Sequence, residues 1–124
     1  MRGSRLVILA HGSADTRWRI PFEELTASVA ESHGADTVRL AYLEFVHPTL
    51  AEIVREAAAD GKTLLRVLPL FLAAGAHVGV DIPRQIAACA ESFPQVKIEL
   101  LQPIGKHPRV RELFREITGH YARE

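Results

Sequence analysis

The sequence predicts an α/β domain: a doubly wound, four-stranded parallel sheet with helices on both faces, built from four β-α units. Three observations lead there. Short apolar runs alternate with longer stretches whose apolar residues recur at helical spacing. Proline and glycine fall at the joints between them. At 124 residues, 48% hydrophobic and 24% charged, the chain has the size and composition of a single globular domain over 1–124. Right-handed crossovers restrict the topology, and a strand order of 2-1-3-4 is expected.

The first strand is RLVILA, Arg5 to Ala10, a short apolar run as in a strand buried on both faces. A helix is expected from about Pro21, with Phe22, Leu25 and Val29 on one face and its end before Gly34. Thr37 to Leu43 (TVRLAYL) reads as the second strand. Pro48 then opens a helix carrying Leu50, Ile53, Val54, Ala57 and Ala58 on one side, closed by Gly61. The third strand is Thr63 to about Leu70, with Pro69 at its end because a central strand cannot cheaply lose a donor. Phe71 to Val80 is expected to be a loop, after which Asp81 caps a helix with Ile82, Ile86, Ala90 and Phe93 inward. Val96 to Leu101 makes the fourth strand. The last helix starts at Pro108 and bears an apolar stripe of Val110, Leu113, Phe114, Ile117 and Tyr121.

Composition excludes several classes of function. The longest apolar stretch, Val67 to Val80, is broken by Pro69, Gly75, His77 and Gly79, and it falls short of the roughly 20 residues of a membrane span. The N-terminal Met-Arg-Gly-Ser-Arg and the short apolar run after it lack the length expected of a secretory signal and read instead as a first strand. A lone Cys89 makes no internal disulfide and fits a reducing cytoplasm. Fifteen basic and fifteen acidic side chains cancel, against the basic excess of a nucleic-acid binder. Most of the basic residues are arginine, whose planar fork pairs with carboxylates, so a polycarboxylate ligand is open. An unremarkable solvated surface would account for most of them equally well.

In open α/β sheets ligands sit beyond the carboxyl ends of the strands. The first strand is followed by His11-Gly12-Ser13, the second by Glu44 with His47 after it, and the third by Gly75-Ala76-His77-Val78-Gly79. His11, Glu44 and His77 are spaced 33 and 33 residues apart, one β-α unit each, and so converge on one edge. Imidazole nitrogen and carboxylate oxygen suit divalent cobalt, nickel, iron or zinc. Imidazole also accepts a proton near neutral pH. A single histidine at a strand end is more often a structural, hydrogen-bonded residue; three donors on one edge shift the balance toward a site. Gly12 and Ser13 alone make a poor phosphate turn. His33, His107 and His120 read as capping or surface residues, Cys89 as core, and Asp81 as a cap. Trp18 could stack on a flat aromatic ligand or staple its helix.

The stretches LVILAHGSADTRW, VRLAYLEFVHPTL and RVLPLFLAAGAHVGVDIP resemble the small sirohydrochlorin cobaltochelatases, class II chelatases of the CbiX type, from Leu6 to about Pro103. PLFLAAGAHVGVDIP, Pro69 to Pro83, is the most specific part. The resemblance implies a chelatase-like, flavodoxin-like half-domain, with His11 and His77 as catalytic histidines and Glu44 joining them around the metal. It implies insertion of cobalt, or alternatively iron or nickel, into sirohydrochlorin in cobalamin biosynthesis, with the metal as substrate and no organic cofactor. Longer members hold the tetrapyrrole between two such domains, so a chain of this length implies a homodimer with a shared cleft. Ser13, Arg17, Trp18 and Arg84 are candidates to bind the polycarboxylate macrocycle, as is Arg19. The family commonly has a basic residue after HGS, in HGSRDPRW; here Ala14 and Thr16 break that pattern.

Other functions fit less of the sequence. A histidine phosphatase needs an arginine before its histidine, and Ala10 stands there. A flavin carrier needs a Ser/Thr-rich phosphate turn that the first loop lacks. A non-catalytic carrier of tetrapyrrole or metal would use the same residues as a chelatase.

Overall fold

The computed structural model describes residues 3–73 and 75–123; the side chains of Ala76 and His77 lie outside the described residues. Four strands, β1 (Ser4–Ala10), β2 (Val38–Tyr42), β3 (Leu64–Pro69) and β4 (Lys97–Leu100), form a parallel sheet in the expected order β2-β1-β3-β4. Helices α1 (Thr16–His33), α2 (Leu50–Ala59), α3 (Ala76–Ser92) and α4 (Pro108–Ala122) follow the strands in turn. Ala10 pairs with Tyr42 and Leu9 with Pro69, which places the carboxyl ends of the first three strands side by side.

Residue alternation explains the two faces of the sheet. Val7, Leu9, Ala41, Leu65 and Val67 are fully buried and form the main core with Ile53, Val54 and Ala57 of α2 and Ile82 and Cys89 of α3. Helices α2 and α3 therefore cover one face, as successive right-handed crossovers require. The intervening residues, including Leu6, Val38 and Tyr42, point to the other face, where α1 lies. Helix α2 starts where Thr49 and Glu52 form a reciprocal capping box, one residue beyond Pro48.

Two helix starts differ from the sequence expectation. α1 begins at Thr16, not near Pro21, because the Asp15 carboxylate caps it by accepting from the Arg17 backbone N–H. Pro21 is accommodated inside the helix. α3 begins at Ala76, within the stretch expected to be a loop, with Gly75 as its N-cap residue. Val78 packs on the core, so burial draws the chain into helix five residues before Asp81. Asp81 is consequently no cap; it accepts a hydrogen bond from the Gln85 amide one turn on. Of the residues expected inward, Leu25 remains 41% exposed. Ala90 is exposed as well, while its neighbour Cys89 is buried.

At the amino edge of the sheet, Arg5 and Lys62 are buried and both reach Asp36 in the one-turn 3₁₀ helix Ala35–Thr37 before β2. Arg5 also bonds Asp60 at 3.0 Å. This network ties the start of β1 to the ends of α1 and α2, far from the carboxyl edge. No described helix is long and apolar enough to cross a membrane.

Candidate functional site

Beyond Ala10 and Tyr42 the β1–β2 ladder runs on for two more rungs. The Leu43 amide donates to the Ala10 carbonyl at 2.9 Å and the Glu44 amide to the His11 carbonyl at 3.1 Å. His11 and Glu44 are thereby cross-strand neighbours at the carboxyl edge, and their side chains meet, His11 Nε2 to Glu44 Oε1 at 2.9 Å. Both are accessible, at 47% and 38% side-chain exposure. Gly12 permits this approach. Its φ is +99°, and a Cβ there would lie 2.0 Å from the Glu44 carbonyl oxygen.

The 2.9 Å spacing suits two chemical states. Without an ion it is a close imidazole–carboxylate contact. It is also close to the separation of two donors on one ion, since ligands about 2.1 Å from a metal at a right angle stand about 3.0 Å apart. Seating a cation between the two donors thus needs little movement. Among the described residues no group of three or more potential ligands is assembled. His77 lies in the first turn of α3, and its side chain is outside the described residues.

Aromatic groups surround His11. The Phe45 ring lies 6.1 Å from the imidazole and the Phe71 ring 6.4 Å away, edge-on. Phe45 is 72% exposed and holds φ at +74°, a conformation that a bulky residue rarely adopts. His11 also lines a cavity of about 300 Å³ together with Ser13, Trp18, Arg19, Tyr42 and Phe71. Burial, and after it the charge of Glu23, raises the Tyr42 phenol above its ordinary range.

The other residues singled out from sequence have distinct fates. Trp18 lines the cavity and is 69% exposed, so it does not staple the helix. Ser13 lines it too, with its Oγ accepting from the Asp15 amide at 3.0 Å. Arg17 is held in a two-point bond by the helix-capping Asp15, at 2.7 and 3.1 Å, which occupies part of its donor fork. Arg19 is the arginine that lines the cavity. Arg84 is exposed on α3 and is not part of that lining. His47 turns away to Glu52, 2.6 Å from Nδ1. The Thr49 backbone N–H, and after it His47, hold the Glu52 carboxyl down to about 2.

Sequence reasoning did not single out Phe45, Tyr42 or Phe71. Tyr42 read as an ordinary residue of the second strand and Phe71 as the first residue of a loop. The single available signal for Phe45 was its position after Glu44, which does not reveal a left-handed backbone.

Comparison with known proteins gives concordant matches. The family model CbiX matches residues 5–120. A sirohydrochlorin cobaltochelatase of Sulfurisphaera tokodaii is 31% identical over 114 residues, 90% of this chain and 88% of the relative. The crystal structure of a putative cobalamin biosynthesis CbiX protein from Marinobacter aquaeolei superposes with a TM-score of 0.83 at 37% identity, covering 97% of this chain and 95% of the other. The sirohydrochlorin chelatase SirB from Bacillus subtilis, crystallised with cobalt, superposes at 0.73 with 26% identity; 82% of this chain covers 43% of that longer one.

Proposed function

The chain belongs to the CbiX family, and from that premise we propose that it is a tetrapyrrole chelatase inserting a divalent metal, cobalt by preference, into sirohydrochlorin. The observation that carries this reading is the His11–Glu44 pair, 2.9 Å apart and open to solvent at the carboxyl edge. The relatives named as sirohydrochlorin cobaltochelatases and the cobalt-bound SirB support the choice of substrate and metal.

Insertion has three physical requirements. The ion must arrive partly stripped of water, the pyrrole N–H protons must leave, and the macrocycle must be held against the ion. A neutral imidazole and a carboxylate at this spacing replace two waters of the ion with one nitrogen and one oxygen donor. His77, a residue of the first turn of α3, is the third ligand in this proposal. When the ion passes to the macrocycle, His11 is free to take a pyrrole proton, and Glu44 stabilises the imidazolium so formed. The metal is a substrate throughout, and no organic cofactor has a part to play.

Phe45, beside the His11 ring, and Trp18, which shares a cavity with His11, are exposed and offer apolar surface for the flat ring. Arg19, with Ser13, faces its carboxylates. The cavity of about 300 Å³ stands at the lower end of the range for small-molecule sites, roughly 300–1,000 Å³. One copy thus supplies part of the surface a macrocycle needs, and a homodimer with facing carboxyl edges supplies the rest. The single Cys89 is a buried free thiol, consistent with work in the cytoplasm.

The test is anaerobic mixing of the protein with sirohydrochlorin and, separately, cobalt, nickel or ferrous ion while the absorption spectrum is followed. Faster insertion of cobalt than in the protein-free control is expected. Rates equal to the control for all three metals would reject catalysis and leave a carrier.

A further inference from the structure

The last residue of β2 carries a polar group that the fold does not use. Tyr42 is 2% exposed, and its hydroxyl has no hydrogen-bond partner among the described residues. The residue itself is firmly placed. It pairs with Ala10, and its backbone N–H donates to the Pro48 carbonyl at 2.9 Å. A hydroxyl shut away from water without a partner destabilises a folded chain. Phenylalanine at this position would keep the packing of the ring and avoid that cost. The hydroxyl therefore points to a partner that arrives from outside the chain.

The surroundings of Tyr42 give the chemistry of that partner. Tyr42 shares with His11 the cavity of about 300 Å³ whose apolar walls are Trp18, Phe22, Leu70 and Phe71. Arg19 brings a cation to the same lining. Asp15 holds the fork of Arg17, whereas the Arg19 guanidinium makes no hydrogen bond or ion pair among the described residues. Glu23, one turn after Arg19, also acts on the phenol, but it is exposed and outside the lining.

A phenol keeps its proton at neutral pH and so can donate, and a guanidinium only donates. These two donors at one apolar cavity suit a carboxylate on a short aliphatic stem: the stem lies along the walls and the anion meets the donors. The volume stands at the foot of the range for whole small-molecule ligands, so the cavity takes a side arm while a macrocyclic ring stays outside.

We propose that this cavity receives one carboxylate-tipped side arm of the tetrapyrrole, and that the Tyr42 hydroxyl and the Arg19 guanidinium clamp its carboxylate. The proposal rests on the chelatase reading above and adds how the substrate is oriented. His11 lines the same cavity, so an arm seated there fixes which part of the ring stands over the His11–Glu44 pair. Tyr42 then selects and orients the substrate without ligating the metal or taking a proton.

Tyr42→Phe tests it. Binding of metal-free sirohydrochlorin is followed anaerobically by quenching of Trp18, the only tryptophan of the chain and part of the cavity wall. The urea midpoint of the free protein and steady-state cobalt insertion are measured beside it. The midpoint should equal or exceed that of the wild type, since an unsatisfied hydroxyl is removed. The Kd for sirohydrochlorin should rise about 10-fold or more, as for a lost hydrogen bond to a charged group. KM should rise in parallel with kcat changed by less than about twofold, the signature of lost uniform binding. A lower midpoint would show that the hydroxyl serves a partner within the fold, Glu23 included, and would overturn the proposal. Unchanged affinity also overturns it and leaves the chelatase reading standing. Sirohydrochlorin with every carboxylate esterified should bind wild type and variant equally; a persisting difference overturns the carboxylate clamp. In an Arg19→Gln background the effect of Tyr42→Phe should shrink, because both donors serve one group, and full additivity overturns that sharing. A wild type that binds sirohydrochlorin but inserts no metal faster than the control rejects the chelatase reading and supports the arm site. One that does not bind it overturns both.

Discussion

The Gly12 backbone lies so close to Glu44 that a Cβ on Gly12 would stand 2.0 Å from the Glu44 carbonyl oxygen. The contact locks the ends of β1 and β2 at the spacing that brings imidazole to carboxylate. Gly12→Ala therefore has two costs, a strained φ of +99° and a clash with backbone that cannot rotate away. A loss of at least about 2 kcal/mol in unfolding free energy is expected, together with loss of cobalt binding. A variant with wild-type urea midpoint would show that this approach does not constrain the site.

The pair itself is separable into charge and geometry. Glu44→Gln preserves a hydrogen-bonding group beside His11 Nε2 but removes the anion, so cobalt affinity should fall by about 10- to 100-fold with the fold intact. His11→Ala and His77→Ala should each abolish most insertion activity. Titration calorimetry with cobalt, followed by the spectroscopic insertion assay, measures both. Wild-type affinity in Glu44→Gln would remove the carboxylate from the metal site.

Phe45 should trade stability for substrate binding. Its φ of +74° costs a non-glycine residue of order 1–3 kcal/mol, and Phe45→Gly relieves part of that strain. A rise in stability of about 1 kcal/mol is expected, with KM for the tetrapyrrole up by roughly 3- to 10-fold as the apolar platform is lost. An unchanged KM would mean that the exposed ring does not meet substrate.

The amino-edge network predicts an acid-sensitive step distant from catalysis. Hydrogen bonds from Lys62, and after it Arg5, hold the Asp36 carboxyl below its ordinary range. Because the folded pKa is the lower one, the ionised form favours folding. That contribution is complete above the unfolded value of about 3.9 and is lost as pH falls through the depressed folded value. Asp36→Asn should lower the urea midpoint at neutral pH and show a smaller further decline on acidification than the wild type. Parallel declines would place the acid response in other groups.

Much of this protein was legible in its sequence. Apolar periods located all four strands and four helices, because burial on a sheet or helix face imposes a repeat that local order records. The rule that ligands collect beyond strand ends selected His11 and Glu44, and the ladder brings them within 2.9 Å. Helix starts at Thr16 and Ala76 were not legible, since capping by Asp15 and core packing by Val78 compete with the proline and aspartate signals nearby.

Other properties were decided only by the tertiary structure. Arg17 and Arg19 are two residues apart on one helix, yet Asp15 holds the first and the cavity receives the second. Phe45 acquired its exposed, left-handed pose from the link between β2 and α2. The stripe on α4 was plain in the sequence, but its exposure was not. Periodicity records that a face is apolar; what covers that face depends on the tertiary packing, and here no residue of α4 is buried.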